Sequence, residues 1–123
     1  GGLETKQLVE AIKSYISENI YYDLSRETIA EQLKYHPDHL SRVFKKATGE
    51  TLINYIQNEK IKTAIYLFKE TNLSVSQVAD RLGYTNFSYF SQLFKQKTGY
   101  TVREYKRKYL NKTDGDNAAD LLR

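Results

Sequence analysis

The sequence predicts an all-α protein of about seven helices, built as two matching helix pairs joined by one long helix. Three observations predict it. Apolar residues recur at three- and four-residue spacing in segment after segment. A short helix, a tight turn and a second helix occur twice, with the same residue types at matching places. Between these blocks, residues 51–71 carry a long apolar stripe without glycine or proline.

Residues 3–20 read as an amphipathic helix with Leu8, Ile12, Tyr15, Ile16 and Ile20 on one stripe. Asn19 to Asp23 is a turn, and Ser25 with Thr28 supplies hydroxyls for the start of the next helix. That helix carries Ile29, Ala30 and Leu33 and fades at Lys34-Tyr35-His36. Pro37, the only proline in the chain, suits a first helical turn, because its missing N–H would have no partner there. His36 is then the cap, and the helix runs through Leu40, Val43 and Phe44 to a stop at Gly49.

The second block repeats the first. Ile29-Ala30 and Leu33 match Val78-Ala79 and Leu82 at an offset of 49. Phe44-Lys45, Thr48-Gly49 and Tyr55 match Phe94-Lys95, Thr98-Gly99 and Tyr105 at an offset of 50. One extra residue therefore lies in the second turn. A small alanine in each first helix lets the two helices approach closely at their crossing. Gly83 stops the first helix of the second block, Thr85 or Asn86 caps the next, and Phe90, Leu93 and Phe94 form its apolar stripe. Helix, short turn, helix is the pattern of a helix-turn-helix, whose second helix enters the major groove of DNA.

The stretch 51–71 places Leu52, Tyr55, Ile56, Ile61, Ala64, Ile65 and Phe68 on one stripe. About 20 residues of helix measure roughly 30 Å, close to the roughly 34 Å turn of B-DNA, so a rigid helix of this length suits two reading heads in successive major-groove turns. A final helix is expected over 101–110, capped by Thr101, packing through Val102, Tyr105 and Tyr109 and turning Arg103, Lys106, Arg107 and Lys108 outward. The expected organisation is a first helix-turn-helix subdomain over 3–50 with its N-terminal helix, a linking helix over 51–71, a second subdomain over 72–110 and a disordered tail over 111–123.

Composition narrows the function class. Of 123 residues, 40% are hydrophobic and 28% charged, as in a soluble globular domain. Without cysteine there is neither a disulfide framework nor a thiolate metal site. No apolar run reaches the roughly 18 residues of a membrane span, and no secretory signal is present. Gly1-Gly2 reads as a cloning remnant, and a chain with no methionine is expected to be a piece of a longer protein. The net charge is +4, unevenly spread: residues 1–33 hold three basic and six acidic side chains, whereas 81–112 hold eight basic ones against Glu104 alone. This points to a polyanion-facing side, against the plainer reading of a solvated lysine-rich surface. The eleven tyrosines fit single-strand stacking in principle, but most fall at apolar helical positions, so core packing is the expected role.

The block VADRLGYTNFSYFSQLFKQKTGYTVREYKR, together with the upstream IAEQLKYHPDHLSRVFKKATGETLINYI, resembles the DNA-binding domain of the AraC/XylS-type transcription regulators. The resemblance covers residues 24–109 and rests on around twenty positions at fixed spacing. The sequence departs from that pattern at Val102, where the family has proline, at Lys60, where it has arginine, and at Lys34, where a glycine precedes Tyr35. The N-terminal helix running into YISENIYYDLS is similar to members fused to receiver or sensor domains.

The resemblance implies that both second helices face DNA. Apolar spacing leaves Asp38, His39, Ser41, Arg42 and Lys45 outside on the first, and Phe87, Ser88, Ser91, Gln92 and Lys95 on the second. The base-facing set is Asp38, Ser41, Arg42, Phe87, Ser88 and Gln92. Arg42 can donate two bonds to guanine, and Gln92 can bond adenine bidentately. Asp38 can accept from cytosine or hold Arg42 one turn away. Phe87 lies either against thymine methyls or against Tyr84 or Tyr89. The phosphate or flanking set is His39, Lys45, Lys46, Thr85, Asn86, Ser91 and Lys95.

The implied function is sequence-specific binding of double-stranded promoter DNA in a bacterial cytoplasm, regulating transcription with RNA polymerase as a further partner. No membrane partner, cofactor, metal or catalytic residue is expected. The isolated domain is expected to be a monomer and the full-length protein a dimer. The competing reading is a helical protein-interaction module without DNA binding, which leaves the two matched blocks unexplained. A histidine phosphotransfer module at His39 lacks the following glycine, and a metal site at His36 and His39 lacks a third ligand.

Overall fold

The computed structural model describes residues 2–111, and the tail expected over 111–123 lies outside them except for Asn111. Among these residues the elements are α1 (Gly2–Glu18), α2 (Arg26–Leu33), α3 (Pro37–Thr48), α4 (Leu52–Glu70), α5 (Val75–Arg81), α6 (Phe87–Thr98) and α7 (Val102–Tyr105), which continues as a π-helical turn, Lys106–Leu110. No strand occurs among the described residues. The chain forms two compact units, Gly1–Lys60 and a second beginning at Ile61, so the boundary falls inside the continuous helix α4.

The first unit packs α1, α2, α3 and the start of α4 around Ile12, Ile16, Ile29, Ala30, Leu40 and Phe44, all with no exposed surface. Burying one such side chain stabilises by about 1.5–3 kcal/mol. Leu8 and Val9 complete the α1 face; Val9 was not on the expected stripe, because it lies one residue off the regular spacing. The second unit packs Ile61, Ala64, Leu67 and Phe68 of α4 against Val78, Ala79, Leu82, Phe90, Leu93, Phe94 and Val102. Phe68 and Tyr105 both meet Phe94 edge-on, at 5.9 and 5.6 Å between ring centres.

The duplication read from sequence is repeated atom by atom. Gly49 and Gly99 end α3 and α6 at φ 81° and 85°. Their N–H groups donate to Lys45 and Lys95 carbonyls at 2.8 and 2.7 Å. Before each glycine a threonine hydroxyl donates to the phenylalanine carbonyl one turn back, Thr48 to Phe44 at 2.7 Å and Thr98 to Phe94 at 2.8 Å. After each glycine a threonine hydroxyl accepts the N–H that opens the following helix, Thr51 from Asn54 and Thr101 from Glu104, both at 3.1 Å. Val102 occupies the first helical position, where proline is merely one acceptable residue, and it is buried.

Three expectations are corrected. Lys106 is 6% exposed rather than outward. It follows Val102 by four residues and so falls on the packed face; its methylene stem is buried and its ammonium lies 4.9 Å from the Phe68 ring centre. The helix expected over 101–110 is α-helical only to Tyr105 before widening into the π turn, and Tyr109 on it is exposed. None of the eleven tyrosines is fully buried: Tyr15, Tyr55, Tyr84 and Tyr105 pack half-buried against the cores, and six others are exposed.

Lys60, the second buried lysine, donates to the carbonyls of Ile20 (2.9 Å) and Tyr22 (2.7 Å) just beyond α1. Ionic donors to two carbonyls tie the turn after α1 to the middle of α4. Burial pulls the Lys60 amine down from its ordinary value to about 8, against the opposing attraction of Asp23. Below pH 8 both folded and unfolded states hold the proton, so the full desolvation cost is present. Between about 8 and the unfolded value of 10.5 only the unfolded state holds it, and Lys60's contribution to stability rises with pH. The wild type should therefore gain denaturant stability relative to Lys60→Arg, which stays charged, as pH rises from 8 toward 10; a constant difference would show that Lys60 keeps its proton in the fold.

Candidate nucleic-acid interface

In each unit a short helix and a turn set the start of a longer, outward-facing helix. In the first, Ser25 caps α2 by accepting the Thr28 N–H at 3.1 Å. Pro37 opens α3, and the His36 ring nitrogen Nδ1 accepts the Asp38 N–H at 3.2 Å as its cap. In the second, Ser74 and Gln77 form a reciprocal capping box on α5, and the Asn86 side chain caps α6 by accepting the Tyr89 N–H at 2.9 Å. Asn86 rather than Thr85 is thus the cap.

The turns close alike. Tyr35 N–H donates to the Ala30 carbonyl at 2.9 Å, and Tyr84 N–H to that of Ala79 at 3.0 Å. Ala30 and Ala79 are both buried. The residue ahead of each tyrosine is left-handed: Gly83 at φ 83°, but Lys34 at φ 65°. Glycine adopts this conformation without steric cost, whereas a Cβ crowds the following carbonyl oxygen. The departure at Lys34 is thus a lysine held where the backbone favours glycine.

Eleven of the thirteen expected site residues are exposed; Ser41 and Ser91 are half-buried beside the core. On α3 the outer ridge is Asp38, Arg42, Lys45 and Lys46, opposite Leu40 and Phe44. On α6 it is Ser88, Gln92 and Lys95, opposite Phe90 and Phe94. Each ridge therefore gathers part of its expected set on one accessible face. Lysines in the last turns of α3 and α6 also suit the negative ends of the helix dipoles. His39 stacks on Tyr35, with ring centres 5.9 Å apart and planes 21° apart, toward the flank of the ridge.

Asp38 does not hold Arg42. Its Oδ1 accepts from Arg26 Nη1 at 2.8 Å, while Arg26 Nε donates to Glu27 at 2.8 Å. Glu27 first, then Asp38, hold the Arg26 guanidinium above its ordinary pKa. No hydrogen bond or ion pair engages Arg42 among the described residues. Arg26 lay outside the expected site, and its partner twelve residues away obeys no local spacing rule.

Phe87 is 49% exposed and lines an open cleft of about 210 Å³ with Ser76, Gln77, Asp80, Tyr84 and Thr85. Tyr84 itself pairs with Tyr89 and Phe90, at 5.9 and 5.4 Å between ring centres. Burial, aided by Tyr89, pushes the Tyr84 hydroxyl up to about 12, so it stays neutral.

Comparison with known proteins places this geometry. A family model described as a helix-turn-helix domain matches residues 29–108. The chain is 35% identical over 99 residues to the bifunctional transcriptional activator/DNA repair enzyme AdaA of Bacillus subtilis, covering 80% of this chain and 47% of that protein. It is 32% identical over 105 residues to the uncharacterized HTH-type transcriptional regulator YijO of Escherichia coli, covering 85% of this chain and 37% of that protein. The chain thus spans less than half the length of these two relatives. Among solved structures, the C-terminal domain of AraT, a response regulator from Geobacillus stearothermophilus, matches with TM-score 0.80 and 31% identity over 84% of this chain and 86% of that one. The DNA-binding domain of AdpA, solved in complex with a target DNA, shares the fold at TM-score 0.75 and 20% identity, over 82% of this chain and 91% of that one.

Replacing Lys34 with glycine should relieve the left-handed strain, partly offset by a more flexible unfolded chain. A gain of about 0.5–1 kcal/mol is expected in denaturant unfolding. A loss would show that the lysine side chain holds the turn.

Proposed function

From the premise that the chain belongs to the AraC-type helix-turn-helix family of DNA-binding transcription regulators, we propose that α3 and α6 each read a major groove, giving a bipartite duplex site. The observation that carries the reading is the ridge of α3. It presents an unengaged arginine, Arg42, flanked by lysines, on a helix fixed at both ends by its cap and its glycine.

Arg42 donates its fork to guanine O6 and N7, and Gln92 on α6 bonds adenine. Ser41 and Ser88 reach base edges or sugars from the sides of their ridges, and Phe87 offers an apolar edge to thymine methyls. Lys45, Lys46, Lys95, Thr85, Asn86, Ser91 and His39 hold the phosphates, which set register without reading sequence. Because α6 carries no arginine, its half-site is read more through shape and apolar contact than the half-site of α3. The chain supplies binding and no catalytic step.

Whole-protein properties join the proposal. Similarity to a response-regulator C-terminal domain, and relatives of which the matched stretch covers only 47% and 37%, support a DNA-binding piece of a longer cytoplasmic regulator. In that arrangement signal input and dimerisation reside elsewhere, the isolated domain is a monomer, and RNA polymerase is the protein partner at the promoter.

Selection of binding sites from a random duplex pool, followed by footprinting, tests the reading. Two short half-sites about one helical turn apart are expected. Arg42→Ala should cost about 1–3 kcal/mol on the selected site and relax one base pair, whereas Lys95→Ala should weaken all sequences alike and lower the salt slope by about 1. Absence of duplex binding at low salt would refute the proposal.

A further inference from the structure

The two heads differ most at one charged contact. In the first, Arg26 at the start of α2 and Asp38 in the first turn of α3 meet at 2.8 Å. At the matching places of the second head stand Val75 and Ser88, so no such pair exists there. The Asp38 N–H donates to the His36 Nδ1 that caps α3, and Asp38 Oδ1 faces the Arg26 guanidinium. The carboxylate is thereby turned toward α2.

That orientation matters because Arg42 follows Asp38 by four residues, one helical turn. A carboxylate and a guanidinium at this spacing attract each other directly. An Asp38 without another partner would compete with guanine for the Arg42 fork, or would itself accept from a cytosine amine. Arg26 occupies Oδ1 and neutralises part of the charge, which weakens both options.

We propose that Arg26, on the helix that does not enter the groove, is a positioning residue for sequence recognition: it sequesters Asp38 so that Arg42 is left to read its base. The inference rests on α3 being the major-groove helix. A surface ion pair of this kind adds little to stability, so its effect appears in base preference rather than in folding.

The test is quantitative binding of wild type, Arg26→Ala, Arg26→Lys, Arg26→Ala with Asp38→Asn, and Arg42→Ala. Each is measured against duplexes varied at the base pair that Arg42 selects, with thermal unfolding of each variant alongside. In Arg26→Ala the preference for the selected base should fall about tenfold, the value of one competing bidentate contact. Adding Asp38→Asn should restore it, because an amide carries no charge and competes only weakly for a guanidinium. Arg26→Lys, which keeps the charge but not the fork, should fall between. The proposal is overturned if Arg26→Ala weakens every duplex equally with a lower salt slope, which would make Arg26 a phosphate contact. It is also overturned if preference is unchanged in both Arg26 variants, or if Asp38→Asn fails to restore it. An Arg42→Ala variant that keeps the wild-type preference removes the base reading itself; one that loses it while Arg26→Ala keeps it removes only the role of Arg26.

Discussion

Each candidate reading helix depends on the closed turn that precedes it. There the carbonyl of a buried alanine, Ala30 or Ala79, accepts the tyrosine N–H that closes the turn. Around this point, capping polar groups start the reading helix, and a glycine with a threonine hydroxyl ends it. The helix is therefore fixed in length, direction and rotation before any base is touched.

The same scaffold carries two unlike surfaces. The first head presents Arg42, with a carboxylate drawn aside by Arg26; the second presents Gln92, Ser88 and an exposed phenylalanine. Duplication conserved the buried contacts and the helix ends, where packing admits few alternatives. The outward ridge, which takes no part in the core packing, differs between the two. The two units are therefore alike in scaffold and unlike in exposed chemistry.

Both buried lysines act as structural pieces rather than as surface charge. Lys60 ties the turn after α1 to α4 through two carbonyls, and Lys106 lays its ammonium over Phe68. Each solves the problem of burying a cation by giving it oriented partners, carbonyl dipoles in one unit and an aromatic face in the other. They also lower the basic charge available to DNA below what a count of lysines implies.

The sequence by itself determined the all-α class, the two matched blocks, nearly every helix end and the outward ridges of α3 and α6. These are local properties: helical periodicity, caps, proline at a first turn and glycine at a last one act within a few residues of themselves. Tertiary structure decided where Lys60 is held, since the two carbonyls that receive its ammonium lie 40 and 38 residues away. It decided that the tyrosines rim the cores rather than fill them, because a phenol's depth is set by what lies above its hydroxyl. It also decided that Asp38 turns to Arg26 and not to Arg42, a choice between two cations that only the fold brings within reach.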